Sequence, residues 1–239
     1  MISIVCVYNN KEILDDFLIK SLKNQSVEYE LILMDNTTNK YNSAAEALNE
    51  GGKKAKCKYI MFVHQDIDLS SDEWLRKCES ILDSLENFAI AGVAGRSKDI
   101  PTSVSNIFDG IPPGPIGPEI YVPTKVQTLD ECLVIIPKKI FDKLKFDENA
   151  CDNWHLYAVD YSLTAKKEGY NVYVIPIFLY HRSKAFSFSE SYYITLKKLL
   201  KKHRGSKVII RTVGSWVTFI PLNIQIKYPW VKDKIISFL

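Results

Sequence analysis

A three-layer α/β protein, its sheet mainly parallel and Rossmann-like with helices on both faces, is what this 239-residue sequence predicts. Three observations carry that prediction. Through the first hundred residues, apolar runs of strand length alternate with segments whose apolar residues recur at helical spacing. Boxes that open helices, Ser43-x-x-Glu46 and Ser70-x-x-Glu73, fall between the runs. Apolar residues make up 46% of the chain and charged residues 25%, enough to bury a core and to exclude wholesale disorder.

The elements follow in order. Ile2–Tyr8 reads as a buried strand, and Ile13 to Lys23 carries apolar residues at 13, 14, 17, 18 and 22, one helical face. Glu30–Asp35 is a second strand. Ser43 caps a helix running to about Ala55, and Lys58–His64 is a third strand. Ser70 is expected to open a helix with Trp74, Leu75, Ile81, Leu82 and Leu85 inward; Phe88–Ala94 is the fourth strand. From Gly95 to Thr128 the pattern dissolves. That stretch holds six of the ten prolines and four of the ten glycines, so it reads as a long functional loop over the site. Order returns with a strand at Glu131–Pro137, a short helix from Lys138 and a helix at Ala158–Glu168 stopped by Gly169. A strand at Asn171–Ile175 and an amphipathic helix at Ser189–Lys202 complete the expectation.

Charge and cysteine usage narrow the function classes. Thirty-one Lys and Arg against 28 Asp and Glu leave a net charge of +3, too mild for a general nucleic-acid binder. The five cysteines, Cys6, Cys57, Cys78, Cys132 and Cys151, form no C-x-x-C, which argues against a zinc ribbon or a disulfide framework and for a reducing compartment. No run approaches the ~20 apolar residues that span a bilayer. The opening run is too short for a signal-peptide core and has no basic residues before it. The expectation is a protein kept in the cytoplasm, at most peripheral at the inner membrane face.

In a parallel sheet, ligands bind beyond the carboxyl ends of the strands. The residues there are Tyr8-Asn9-Asn10, Asp35-Asn36-Thr37-Thr38 and His64-Gln65-Asp66-Ile67-Asp68. Singly, each can be a turn or a helix cap. Together they offer nitrogen and oxygen donors, and His64, Asp66 and Asp68 suit a divalent cation. No G-x-G-x-x-G follows the first strand and no G-x-x-x-x-G-K-[ST] occurs. A diphosphate placed beside these carboxylates would need a cation between them.

These residues carry a family resemblance. Ile2–Asn9, Leu31–Thr37, Asn42–Asn49 and Tyr59–Asp66 resemble, in order and spacing, the family 2 glycosyltransferases of the GT-A fold, in the small StrF-like branch. Asp130-Glu131-Cys132, Phe146-Asp147-Glu148, Asp160-Tyr161-Ser162-Leu163 with Gly169-Tyr170, and His181 continue the match to about residue 185. The resemblance implies that Tyr8 and Asp35, with Asn9 beside them, hold the base and ribose of a nucleotide-sugar donor, and that Asn42 sits near its diphosphate. It implies that Asp66 is the last acid of a D-x-D metal motif and that His181 completes the ligands. Asp130 would line the sugar and acceptor pocket, and Asp160 would be the general base. Two departures stand out: His64 replaces the first acid of D-x-D, where Asp68 can compensate, and Val159 replaces the acid that many relatives have before Asp160. The Q-x-x-R-W signature of processive synthases is absent.

The implied activity is inverting, metal-dependent addition of a single sugar. A carboxylate takes the proton of the acceptor hydroxyl, and Mn²⁺ or Mg²⁺ offsets charge on the leaving nucleoside diphosphate. Imidazole ligands favour Mn²⁺. The transition state is expected to be oxocarbenium-like. Other readings remain open at this stage. Asp160 can serve a helix N-terminus, His181 can be a satisfied strand-end histidine, and Trp154 with His155 can either stack an acceptor sugar or pack. UDP- or dTDP-sugar donors and glycan, glycolipid or small-molecule acceptors fit the family. A non-catalytic sugar-nucleotide or glycan-binding protein and a nucleotidyltransferase are the rivals. The division expected is a glycosyltransferase domain over 1–185 and an amphipathic helical extension over 186–239. The extension's basic helix, with Tyr192, Tyr193, Leu196, Leu199 and Leu200 on one face, can either touch an anionic membrane or dock on the domain.

Overall fold

Seven strands build the central sheet of the computed structural model, which describes residues 1–100, 102–182 and 188–238. In chain order they are β1 (Ile2–Tyr8), β2 (Glu30–Asp35), β3 (Tyr59–Val63), β4 (Phe88–Gly92), β5 (Thr124–Lys125), β6 (Leu133–Pro137) and β7 (Asn171–Val174), arranged β5-β7-β4-β6-β3-β1-β2. β1 pairs in parallel with β2 and β3, and β7 with β4. β6 runs antiparallel to both β3 and β4, and β5 antiparallel to β7. Five of the seven strands therefore share one direction. Because β6 is reversed, its beginning lies at the edge where β1–β4 end. That reversal carries Asp130-Glu131-Cys132 to the same edge as Tyr8, Asp35 and His64.

Strand periodicity splits the core into two layers. Val5, Phe62, Val134 and Ile136 join one cluster; Ile4, Cys6, Met61, Leu133 and Ile135 join the other. Successive side chains of a strand leave on opposite faces, so strands covered on both sides are apolar throughout. The first face takes α1 (Ala44–Lys54), α3 (Tyr157–Lys167) and α4 (Glu190–Lys202). The second takes α2 (Trp74–Ser84), whose Trp74, Leu75, Cys78 and Leu82 are buried, and a helical segment that passes from Lys11–Leu14 through a π-helical turn, Asp15–Ile19, to Lys20–Leu22. α1 lies close on the sheet because Gly51 and Gly52 have no side chain; a Cβ there would run into Val5 and Phe141. The five cysteines are buried and unpaired.

Several expectations change. Ser70 does not open α2: it stands at φ +60°, its N–H donates to Asp68 Oδ1 at 2.7 Å, and the helix starts at Trp74. The stretch from Gly95 to Thr128 is not a bare loop. Strands at Ala94–Arg96, Val104–Ser105 and Thr128–Leu129 make a three-stranded sheet, and Ile107–Asp109 and Gly114–Pro115 join Ile67–Asp68 and Leu179–His181 in a four-stranded one.

The expected boundary between residues 185 and 186 lies outside the described residues. Beyond it, α4 is joined by a hairpin, Val208–Arg211 with Gly214–Val217, and by helices α5 (Leu222–Lys227) and α6 (Pro229–Phe238). The hairpin is bonded to the domain: Thr128 Oγ1 donates to Ile210 O, and Gln127 exchanges hydrogen bonds with Ile210 N and Val208 O. The extension is thus more than helical, and Tyr192, Leu196, Leu199 and Leu200 of α4 belong to the main core.

Candidate active site

β1 and β2 end side by side, with Tyr8 in register with Asp35. Asp35 Oδ1 accepts from the amide and hydroxyl of Thr37 at 2.8 and 2.7 Å. These bonds, with the Tyr8 hydroxyl, hold the exposed Asp35 carboxyl below the usual range. Burial, then Asp35, pushes the Tyr8 phenol up. Gln65 clasps the end of β1 from β3: its Oε1 accepts from the amides of Asn9 and Asn10, both at 3.0 Å, and its Nε2 donates to Asn9 Oδ1 at 2.7 Å. Asn42 is exposed one residue before the Ser43 cap of α1, its amide donating to Glu46 Oε2.

Beyond β3, the His64 amide donates to Cys132 O at 2.9 Å, which fixes the strand end against the start of β6. The Leu179–His181 strand pairs with both Ile67–Asp68 and Ile107–Asp109, so His181 arrives beside Asp66 and Asp109. Its Nε2 is 3.5 Å from Asp66 Oδ1 and its Nδ1 is 2.9 Å from Asp109 Oδ1. His64, Asp66 and His181 each offer a ligand atom within 4.8 Å of the others, the group among the described residues able to hold a metal ion. The Tyr157 hydroxyl donates its single proton to Glu131 O at 2.9 Å, so its 3.2 Å contact with His64 Nε2 makes that nitrogen the donor. This assignment leaves Nδ1 of neutral His64 as the lone-pair nitrogen. Burial, then His181, lowers the pKa of His64, which keeps it neutral and ligand-ready. For His181 burial works downward but is outweighed by Asp66, Asp130 and Asp109, and the net shift is up. For Asp66 burial works upward but His181 and His64 outweigh it, and the net shift is down. Two imidazoles and a carboxylate, one imidazole backed by a second acid, are a donor set that fits Mn²⁺.

A cavity of about 150 Å³ opens beside this group, lined by His181, Asp109, Asp130, Ser103, Ser105 and Thr212. Asp130 is part of this lining, its Oδ1 accepting from the Cys132 amide at 3.1 Å.

Three expectations are corrected. Asp68 is outside the metal group, its carboxylate being used on the Ser70 amide. Asp160 does not face the cavity. Its side chain is 3% exposed and receives Lys202 Nζ at 2.8 Å and His203 Nε2 at 2.7 Å from the end of α4. A carboxylate sealed under a helix and held by two donors is not open to an acceptor hydroxyl. His155 is half-buried against α4, with Nε2 3.2 Å from Ser189 Oγ and its ring edge-on to Tyr192; of the expected aromatic platform only Trp154 is exposed.

Three residues at the site escaped the sequence reading, Asp109, Tyr157 and Thr212, and Glu131 entered it only within the matched Asp130-Glu131-Cys132 and as a strand start, with no role. Asp109 and Thr212 lie in segments with no periodic signal. Glu131 Oε1 accepts from the Ala158 amide at 3.3 Å, and burial pushes its carboxyl up to about 7. Tyr157 follows Leu156, a buried leucine at φ +69° that turns the chain sharply into α3. A tyrosine two residues after a lone histidine gives no signal in sequence; only the helix entry aims it at His64.

The arrangement is that of the GT-A fold. A glycosyltransferase-like family model matches residues 2–110, which hold β1 to β4 with Tyr8, Asp35, His64 and Asp66. No protein of curated function matches the sequence. Among solved structures, S. aureus TarS 1-349 in complex with UDP-GlcNAc superposes with a TM-score of 0.54 at 16% identity, over 83% of this chain and 65% of that one. The same protein with UDP gives 0.52 at 17%, over 83% and 64%. GalNAc-T7 with UDP, GalNAc and Mn²⁺ gives 0.60 at 12%, over 84% of this chain and 47% of that one. The chain therefore spans less than two thirds of the length of these structures.

Proposed function

We propose that this chain is a glycosyltransferase that moves one sugar from a nucleotide-diphosphate sugar, UDP- or dTDP-linked, to an acceptor hydroxyl, with inversion and without processive addition. The observation that carries the proposal is the convergence of His64, Asp66 and His181 beside a cavity lined by Asp130, at the edge where β1 and β2 present Tyr8 and Asp35. UDP and UDP-GlcNAc bound in the structures named above, and Mn²⁺ in one of them, support the donor class and the metal.

Asp35 accepts from the ribose hydroxyls while Tyr8 and Asn9 pack against the nucleoside; Asn42 stands on the diphosphate side. His64 Nδ1, Asp66 and His181 Nε2 would hold Mn²⁺, or less favourably Mg²⁺, whose charge offsets that gathering on the leaving diphosphate. Asp109 holds His181 in place. Asp130, the carboxylate of the cavity with no cationic side chain bonded to it, takes the proton of the acceptor hydroxyl as the new bond forms. Trp154 offers an exposed ring for an acceptor sugar. Acceptors among glycans, glycolipids or small hydroxylated molecules, a role in polysaccharide or glycoconjugate synthesis, and a cytoplasmic compartment complete the proposal.

The test is release of UDP or dTDP from a panel of nucleotide sugars, with and without Mn²⁺. Metal-dependent release should fall by about 10²–10³-fold in Asp66→Ala and in Asp130→Asn. Donor binding should persist in Asp130→Asn and weaken in Asp66→Ala. The burial of Asp160 favours a second reading, a sugar-nucleotide-binding protein without turnover. Binding of a donor with no release across the panel would establish that reading instead.

A further inference from the structure

The two ends of the chain differ in charge far more than the total shows. Residues 190–238 carry ten Lys and Arg against only Glu190 and Asp233, while residues 1–189 carry 21 against 26. The basic end also leaves large apolar side chains outside. The inner face of α4 is docked in the core, so that face is not free to meet anything else. Its outer stripe, Ile194, Lys197 and Lys201, borders a groove of about 790 Å³ whose other wall is Phe219, Leu222 and Ile226. Ile194 is 50% exposed, Phe219 45% and Ile226 48%. Arg204 stands in the same lining. The neighbouring α6 leaves Trp230 66% and Phe238 81% exposed.

We infer that this face, the groove between the outer stripe of α4 and α5, docks on the surface of an anionic lipid bilayer. Charge complementarity selects that occupant. Aliphatic and aromatic side chains enter the boundary between headgroups and acyl chains, and the lysines beside them meet lipid phosphates. A surface with one acid, Glu190, among Lys197, Lys201 and Arg204, and with Ile194, Phe219, Leu222 and Ile226 beside them, fits such a bilayer better than a neutral or basic protein. The docking is independent of the catalytic proposal, because none of the metal or cavity residues lies in the groove. Tyr192, Leu196 and Leu199 are docked in the core, so the contact is made through Ile194, Lys197 and Lys201 beside them.

Cosedimentation of the whole chain with vesicles tests this, using equimolar phosphatidylcholine and phosphatidylglycerol against phosphatidylcholine alone. The chain should pellet with the first and not the second. Lys197→Gln with Lys201→Gln should weaken binding about tenfold or more, and Phe219→Ser with Ile226→Ser should weaken it by a similar factor at constant salt. Lys139→Gln with Lys143→Gln, remote from the groove, should change it less than about twofold. Circular dichroism confirms that each variant is folded. The inference is overturned by absence of pelleting with either vesicle. It is equally overturned if the remote lysine pair matters as much as the groove pair, or if Phe219→Ser with Ile226→Ser leaves binding intact. A dimer in sedimentation velocity that these serine variants convert to monomer would assign the face to a second copy and also overturn it.

Discussion

Two acid centres lie within reach of α3, and they are built oppositely. Asp66 and Asp109 meet His181 at the rim of a cavity, each about a quarter exposed or less, with Asp130 as a further acid in the cavity wall. Asp160 is shut beneath α4, its two oxygens taken by Lys202 and His203, with Lys202 shared by Asp147 at 2.7 Å. The first centre gathers more acid than base around a space, which is what the proposed metal ion would use. The second balances its charge inside the protein and leaves no space. The contrast shows that a carboxylate at a motif position becomes chemistry or architecture according to what covers it.

The largest expected effect tests the buried centre. Asp160→Ala leaves His203 and Lys202 without their shared acceptor, and removing one partner of a buried pair costs about 3–4 kcal/mol here, near the low end because Lys202 is partly solvated. Urea midpoints should fall accordingly, while nucleotide release per folded molecule should stay within a few-fold. A total loss of release from a fully folded Asp160→Asn protein would erase the distinction between the two centres.

A smaller effect sharpens the cavity side. The Glu131 carboxyl sits at about 7 against an ordinary 4.5. Between those values the folded state holds a proton that the unfolded state has lost, so stability falls as pH rises from 4.5 to 7 and is level above. Glu131→Gln keeps an acceptor for the Ala158 amide and removes the slope. The variant should gain about 2–3 kcal/mol on the wild type between pH 5 and pH 8, read from denaturant midpoints at each pH. Parallel curves would show that Glu131 ionises freely.

The smallest effect separates two acids of one sequence motif. Asp68→Asn keeps an acceptor for the Ser70 amide and should change stability by less than about 1 kcal/mol. It should leave the Mn²⁺ requirement of nucleotide release unchanged, whereas Asp66→Ala should raise or abolish it. Equal loss of metal response in both variants would bring Asp68 into the ligand group.

How much of this was legible in sequence depends on which signal each residue leaves. β1 to β4 could be read because strands covered on both faces are unbroken apolar runs, and Ser43 as a cap because its Oγ accepts from the Glu46 amide at 3.1 Å as the box implies. His64 and Asp66 could be singled out because polar residues that end parallel strands face the ligand edge of the sheet. The direction of Asp160 could not. Residues 157–163 of α3 are buried all round, so the helix has no polar stripe to say which way a carboxylate points. Asp109 could not be found either, because a three-residue strand among prolines and glycines has no period to detect.

The sequence by itself determined the strand–helix alternation, the buried apolar runs and the polar residues that end them, because these follow from local periodicity and backbone chemistry. Only the tertiary structure decided that β6 runs backward and brings Asp130 to the site, that His181 meets Asp66 across a small sheet, and that α4 closes over Asp160. Those outcomes depend on contacts between residues far apart in the chain, for which the local pattern carries no term.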